Sequence, residues 1–392
     1  MNQRNSFITA TPVFLAFLCM GFGDVVGPLT GLIKVEFQLS NFMAQLIPFM
    51  GFIMFGLLSI PVGILQDKKG KATILLTGLV LALMGLLIPM TGKFSSFIAI
   101  LGGILLLGAG ATFLQVSGNP LMRDVSAPGK YSRNLSLAQF IKAIGSLSGA
   151  LIPLAAANYW GGDWKLLFPV YSIVIAIVLL WLSLSGIRKT EVRENREKPA
   201  TFRSSFSLLR NRYVATMVTG IFLYVGAEVS MSSGLPIFLQ DAFQLDIARM
   251  GLLGTLFFFL ALTAGRFMGA LVLNWIKART FLIISVVFSM FGFLGVFSGV
   301  QTLAMVGIFV IGLGFANIFP LIFSTTVETM PERTNELSGL MVAAIIGGAI
   351  IPMLMGLVAD NSSTSFAFIV PLACVIFILV ASLIKPVRLI YN

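Results

Sequence analysis

Twelve apolar stretches of about twenty residues divide this 392-residue chain, near 8–33, 42–65, 72–92, 96–121, 135–158, 165–187, 213–238, 249–275, 280–300, 302–327, 337–359 and 366–385. As a helix, a run of that length crosses the roughly 30 Å hydrocarbon core of a bilayer. Lipid offers no hydrogen bonds to the backbone, so such segments must be helical. Composition agrees, because only 10% of residues are charged where soluble domains carry about a quarter. The expected fold class is an all-α integral membrane protein of twelve transmembrane helices. The first stretch holds Asp24 and Pro28 in its interior and lacks a small-residue cleavage site. It reads as the first span, not as a signal peptide.

The net charge of +11 sits in alternate loops. Arg4, Lys68, Lys69, Lys71, Arg123, Lys130, Arg133, the 188–212 cluster, Lys277, Arg279, Arg333, Lys385 and Arg388 share one side, and only Lys34, Lys93, Lys165 and Arg249 take the other. This asymmetry predicts cytoplasmic N- and C-termini and an inner (plasma) membrane location. Basic residues scattered over short loops do not form a nucleic-acid face, so no nucleic-acid partner is expected. The chain has no histidine, and its two cysteines lie inside apolar stretches. His-ligated zinc and Ser-His-Asp chemistry are thereby excluded, and no disulfide framework, metal or cofactor is expected. Without a phosphate-cradling motif or an extramembrane domain, the chain does not read as an enzyme.

The long charged connection, RKTEVRENREKPATFRSSFSLLRNR at 188–212, divides the chain into an N-terminal six-helix bundle (1–187), a cytoplasmic linker and a C-terminal six-helix bundle (213–392). The second half repeats the first at an offset of about 204 residues: the Gly103, Gly108 and Gly110 pattern of span 4 recurs as Gly307, Gly312 and Gly314 in span 10. The same offset carries Asp24 onto Glu228. A second, looser echo pairs GSLSGALIP (145–153) with GGAIIP (347–352). Two related six-helix halves are a plan of secondary transporters, with the substrate held near the midplane between them.

Asp24 and Glu228 are the candidate ion-coupling residues, because an intramembrane carboxylate costs about 2.5–3.5 kcal/mol on insertion scales and is retained for a reason. Gly108, Thr112, Gln115 and Asn119 share one face of span 4, and Gln139, Lys142, Ser146, Gly149 and Pro153 one face of span 5. Amides both donate and accept, which suits a hydroxyl-rich solute, although such a stripe also serves helix packing. Lys142 lies too deep to snorkel and reads either as an anion or substrate ligand or as a structural partner of Asp24. Tyr224 sits one turn before Glu228 and is the expected sugar-stacking ring, near Pro236, where span 7 can bend. Gln45 and Asn317 complete the expected substrate contacts. Gly23, Gly27 and Gly31 form a small-residue stripe for close helix packing.

The segment Gly63 to Lys71, GILQDKKGK, resembles the signature loop of the major facilitator superfamily, GxxxDxxGRK, with Gly265, Arg266 and Gly269 as its second-half counterpart. That resemblance implies gating roles for Asp67, Lys71, Arg123 and Arg266. Four further stretches, GDVVGP (23–28), SGNP with NLSLAQ (117–120 and 134–139), FLYVGAEVS (222–230) and SGLMVAAIIGGAIIP (338–352), are together similar to the fucose–galactose–glucose:cation symporter family, the fucose permease group. The resemblance covers essentially the whole chain. It implies a monosaccharide symporter with Asp24 in sugar binding and proton coupling. Two positions depart from the pattern: Gln115 stands at a second coupling acid and Lys142 at a polar asparagine. Glu228 would then take over coupling, and Lys142 hints at an acidic or amide-bearing sugar. Sodium coupling, export of a drug-like cation, which Lys142 disfavours, and a non-transporting receptor remain open. A sugar and the bilayer are the expected partners, and a monomer is the expected state.

Overall fold

Gly21 and Gly145 meet where two long helices cross, and Gly226 and Gly347 meet where two others cross, so the same tight joint occurs twice in the chain. Lipid supplies no hydrophobic drive between helices, and small residues that let backbones approach provide the packing instead. A methyl group on Gly145 would overlap the carbonyl of Leu18, and one on Gly347 that of Phe222.

The computed structural model describes residues 3–125, 131–185, 202–246, 252–273, 275–327, 329–330 and 333–384. Among them are twelve helical spans: span 1 (Val13–Glu36), span 2 (Leu46–Gln66), span 3 (Lys71–Thr91), span 4 (Phe97–Gly118), span 5 (Leu137–Trp160), span 6 (Trp164–Leu184), span 7 (Arg212–Phe243), span 8 (Leu252–Gly269), span 9 (Ala278–Val296), span 10 (Gln301–Phe323), span 11 (Gly339–Asn361) and span 12 (Thr364–Leu383). The expected segments are all present, with span 7 running five residues past its expected end. Leu57, Ile177, Leu294 and Val306 are exposed on the outside. That apolar surface is what a lipid-facing wall requires.

Each half is wired alike. Spans 3 and 4, 2 and 4, 1 and 5, and 1 and 6 pack together in the first half; spans 9 and 10, 8 and 10, 7 and 11, and 7 and 12 do so in the second. The halves meet through span 1 against span 7, span 2 against span 11, and span 5 against span 8. This is the major facilitator fold, two pseudo-symmetric six-helix bundles facing one seam.

Symmetry stops at the breaks in the helices. Span 1 is interrupted by a 3-10 turn at Phe22–Val25, which contains Asp24, whereas span 7 is one helix from Arg212 to Phe243 straight through Pro236. A tightened turn inside a helix is a common mark of a hinge. Of the expected linker, residues 202–212 are described: the helix Phe202–Ser207, the 3-10 turn Leu208–Arg210, and Asn211, which caps the helix that starts at Arg212.

The end of the seam remote from the chain termini is latched. Ser40 caps the short helix Asn41–Ala44, and Asp360, at the end of span 11, accepts hydrogen bonds from the Asn41 and Phe42 amides, both at 2.8 Å. Just inside, Ser232 of span 7 packs on Gly27 of span 1, where a methyl group would collide with its hydroxyl.

Candidate functional site

Asp24 lies on the seam-facing side of span 1, at the 3-10 turn, and its partners among the described residues come from span 5. Ser146 donates to its Oδ2 at 2.5 Å, and Lys142 Nζ stands 3.8 Å from the same oxygen. Ser146 and Lys142 are one turn apart, which is why one helix face supplies both partners. Glu228 occupies the corresponding place on span 7. Its cation comes from span 8, with Arg266 Nη2 at 3.6 Å from Oε1.

Both pairs open into one cavity at the seam, with an empty volume of about 860 Å³ that includes space open to solvent. Gln115 of span 4 and Gln139 of span 5 line it with the four charged groups; Ser232 adds a hydroxyl, and Phe52, Phe55, Phe259 and Phe319 add aromatic surface. The four charged side chains keep between 19% and 26% of their surface exposed. Amides, charges and apolar rings around one space fit a solute that is polar on its edges and apolar on one face.

The expected site residues thus divide. Asp24, Gln115, Gln139, Lys142 and Glu228 converge on the cavity. Tyr224 does not: it is 1% exposed, packed among Phe315 and Phe319, and donates to the Phe315 carbonyl at 2.9 Å. The residue expected to stack on a solute therefore forms the wall behind Glu228. Asn317 is likewise structural, because its Nδ2 donates to the Gly265 carbonyl at 2.8 Å and its amide fills the space a side chain at Gly269 would need. It ties span 10 to span 8 at the break between the helices ending at Phe315 and starting at Ile318. Gln45 is at the latched end, accepting from Ser233 at 2.9 Å beside a separate cavity of about 230 Å³. Arg266, expected in a gating role, lies inside the helix Leu252–Val272 and lines the central cavity. Lys71 is buried at the start of span 3. The side chains of Asp67, Asn119 and Arg123 lie outside the described residues.

Sequence reasoning missed Ser232, the lining phenylalanines and the central place of Arg266. A cation within the apolar run LTAGRFMGALV was itself the available signal for Arg266. Nothing in the sequence distinguishes the four lining rings among 35 phenylalanines.

Twelve spans in two bundles around a charged cavity define a polytopic membrane protein with the architecture of a transporter. The chain belongs to the Major Facilitator Superfamily, whose family description matches residues 13–345 and 222–389. Among curated proteins it is 28% identical over 391 residues to a glucose/galactose transporter of Brucella abortus, covering 96% of this chain and 94% of that one. It is 27% identical over 420 residues to the L-fucose-proton symporter of Escherichia coli, covering 96% and 93%. Among solved structures, one crystal structure of the E. coli fucose:proton symporter FucP superposes with a TM-score of 0.70 at 20% identity, over 96% of this chain and 97% of that one. FucP in the outward conformation gives 0.69 at 22% identity, over 94% and 97%.

Proposed function

We propose that this protein is a proton-coupled symporter that imports a monosaccharide or a close derivative by alternating access. The observation that carries this reading is the pair of repeat-related acids, Asp24 and Glu228, facing one cavity between two bundles. The names carried by the full-length relatives, glucose/galactose transporter and L-fucose-proton symporter, support a sugar as the cargo and a proton as the driving ion. Gln115, Gln139, Lys142 and Arg266 are the substrate contacts in this reading, and Asp24 and Glu228 carry the proton. Both acids are beside cations, so protonation removes an ion pair as well as a charge and loosens span 1 from span 5, or span 7 from span 8, within its own bundle.

Cargo and proton together favour the closed arrangement only through their greater affinity for it. Asp67, Lys71 and Arg123 take gating roles in this reading, as the motif resemblance implies. The distribution of basic residues supports a plasma (inner) membrane location with cytoplasmic termini, and we assign the functional unit as a monomer.

Uptake of labelled hexoses into proteoliposomes tests the proposal. Accumulation should follow an imposed pH gradient, collapse with a protonophore and persist when sodium is replaced by choline at fixed pH. Loss of uptake in choline would transfer the coupling to sodium, and absence of counterflow for every sugar tried would leave a receptor.

A further inference from the structure

The cavity carries two cations and two acids, and this balance constrains the cargo. In a site whose acids have no cationic partners, one proton cancels a charge and a neutral solute travels with it. Here Asp24, Lys142, Glu228 and Arg266 already sum to zero among the described lining residues. Adding one proton and a neutral sugar leaves an uncompensated positive charge in a closed site within the membrane, which is the costly condition. Adding one proton and a monoanion restores zero. We propose that this protein carries a sugar bearing a carboxylate, a hexuronate-like monoanion, together with one proton; this rests on the symporter reading above.

Geometry supports the same cargo. The two pairs stand at 3.8 Å and 3.6 Å, whereas Lys165 and Glu36 of this protein close to 2.8 Å. Charge-assisted hydrogen bonds normally lie at about 2.7–2.9 Å, so neither cavity cation has closed on its acid. An ammonium offers three donors and a guanidinium five, so each retains donors for a third group. Lys142 and Arg266 belong to spans 5 and 8, which pack on each other across the seam. A carboxylate held by both would bridge the bundles and favour closure. It would also draw the cations from Asp24 and Glu228, and an acid so released takes the proton from solvent. Ser146 remains beside Asp24 and the Tyr224 ring lies behind Glu228, so neither acid is left without a neighbour.

The test compares D-galacturonate with D-galactose, which differ at one carbon, in proteoliposomes holding the full chain. The expected result is galacturonate accumulation driven by a pH gradient and unchanged by an interior-negative potential set with valinomycin, since anion plus proton moves no net charge. Lys142→Gln and Arg266→Gln should each weaken galacturonate about tenfold or more. The wild-type potential measurement stands even if a variant fails to fold. Galactose accumulation that the potential enhances, with galacturonate neither accumulating nor competing, overturns the carboxylate proposal and leaves the symporter reading intact. If neither galactose, galacturonate nor any other sugar exchanges across the membrane, both fall.

Discussion

The Asp24 site and the Glu228 site are the same place in two copies of one bundle, yet they are held differently. Laying Gly145 on Gly347 puts Ala344 where Lys142 stands, and the repeat offset puts Val62 of span 2 where Arg266 stands on span 8. The acids are therefore related by the repeat and the cations are not. In the first half, one helix face provides both Lys142 and Ser146. In the second, the cation comes from span 8, and spans 5 and 8 pack on each other across the seam. The first acid meets a cation and a hydroxyl from one helix face, and the second meets a cation from the next helix of its own bundle. Duplication gives two similar bundles, and asymmetric pairing gives them different tasks.

The largest effect that probes this contrast is on coupling. Asp24→Asn should reduce gradient-driven accumulation to the level of empty liposomes while counterflow persists, because the site then cannot change charge; near-normal accumulation would remove Asp24 from the coupling machinery. Stability sharpens the comparison next. Arg266→Gln should cost about 2–3 kcal/mol, below the 3–5 kcal/mol typical of a fully buried pair, because the cavity is partly open. Lys142→Gln should cost less, about 1–2 kcal/mol, since Ser146 still serves Asp24. Thermal unfolding of purified protein measures both, and Glu228→Gln added to Arg266→Gln should recover most of the loss. Equal losses in the two halves would mean that the pairs are equivalent after all.

A smaller shift is expected at the latch. Asp360→Ala removes the acceptors of two backbone amides and should move the balance by about 1–2 kcal/mol toward states open at that end. Distances between spin labels placed across the seam would register it, and an unchanged distribution would make the contact incidental. The smallest effect belongs to the tightest pair. Lys165→Ala breaks a 2.8 Å contact to Glu36 where the ends of spans 1 and 6 meet, about a third exposed, and solvent-screened pairs are worth at most about 1 kcal/mol. Transport kinetics should be indistinguishable from wild type.

Asp24, Glu228, Gln115, Gln139 and Lys142 were legible as cavity residues because polar groups in an apolar run must be turned away from lipid. Tyr224 and Asn317 obey that rule equally, but one is bonded to the Phe315 carbonyl and the other to that of Gly265. An inward direction does not say whether a side chain ends at a backbone partner or in open space. Arg266 was read only as a gating residue by its motif, although the expected stretch 249–275 already enclosed it; its side chain faces the central cavity.

By itself the sequence determined the twelve spans, the two-bundle plan and the equivalence of two buried acids, because bilayer thickness and unpaired backbone groups leave a long apolar run one conformation. Tertiary structure alone decided which cation meets which acid. Those partners lie 118 residues apart for Asp24 and Lys142 and 38 apart for Glu228 and Arg266, on different helices whose relative rotation is set by packing that no local pattern encodes.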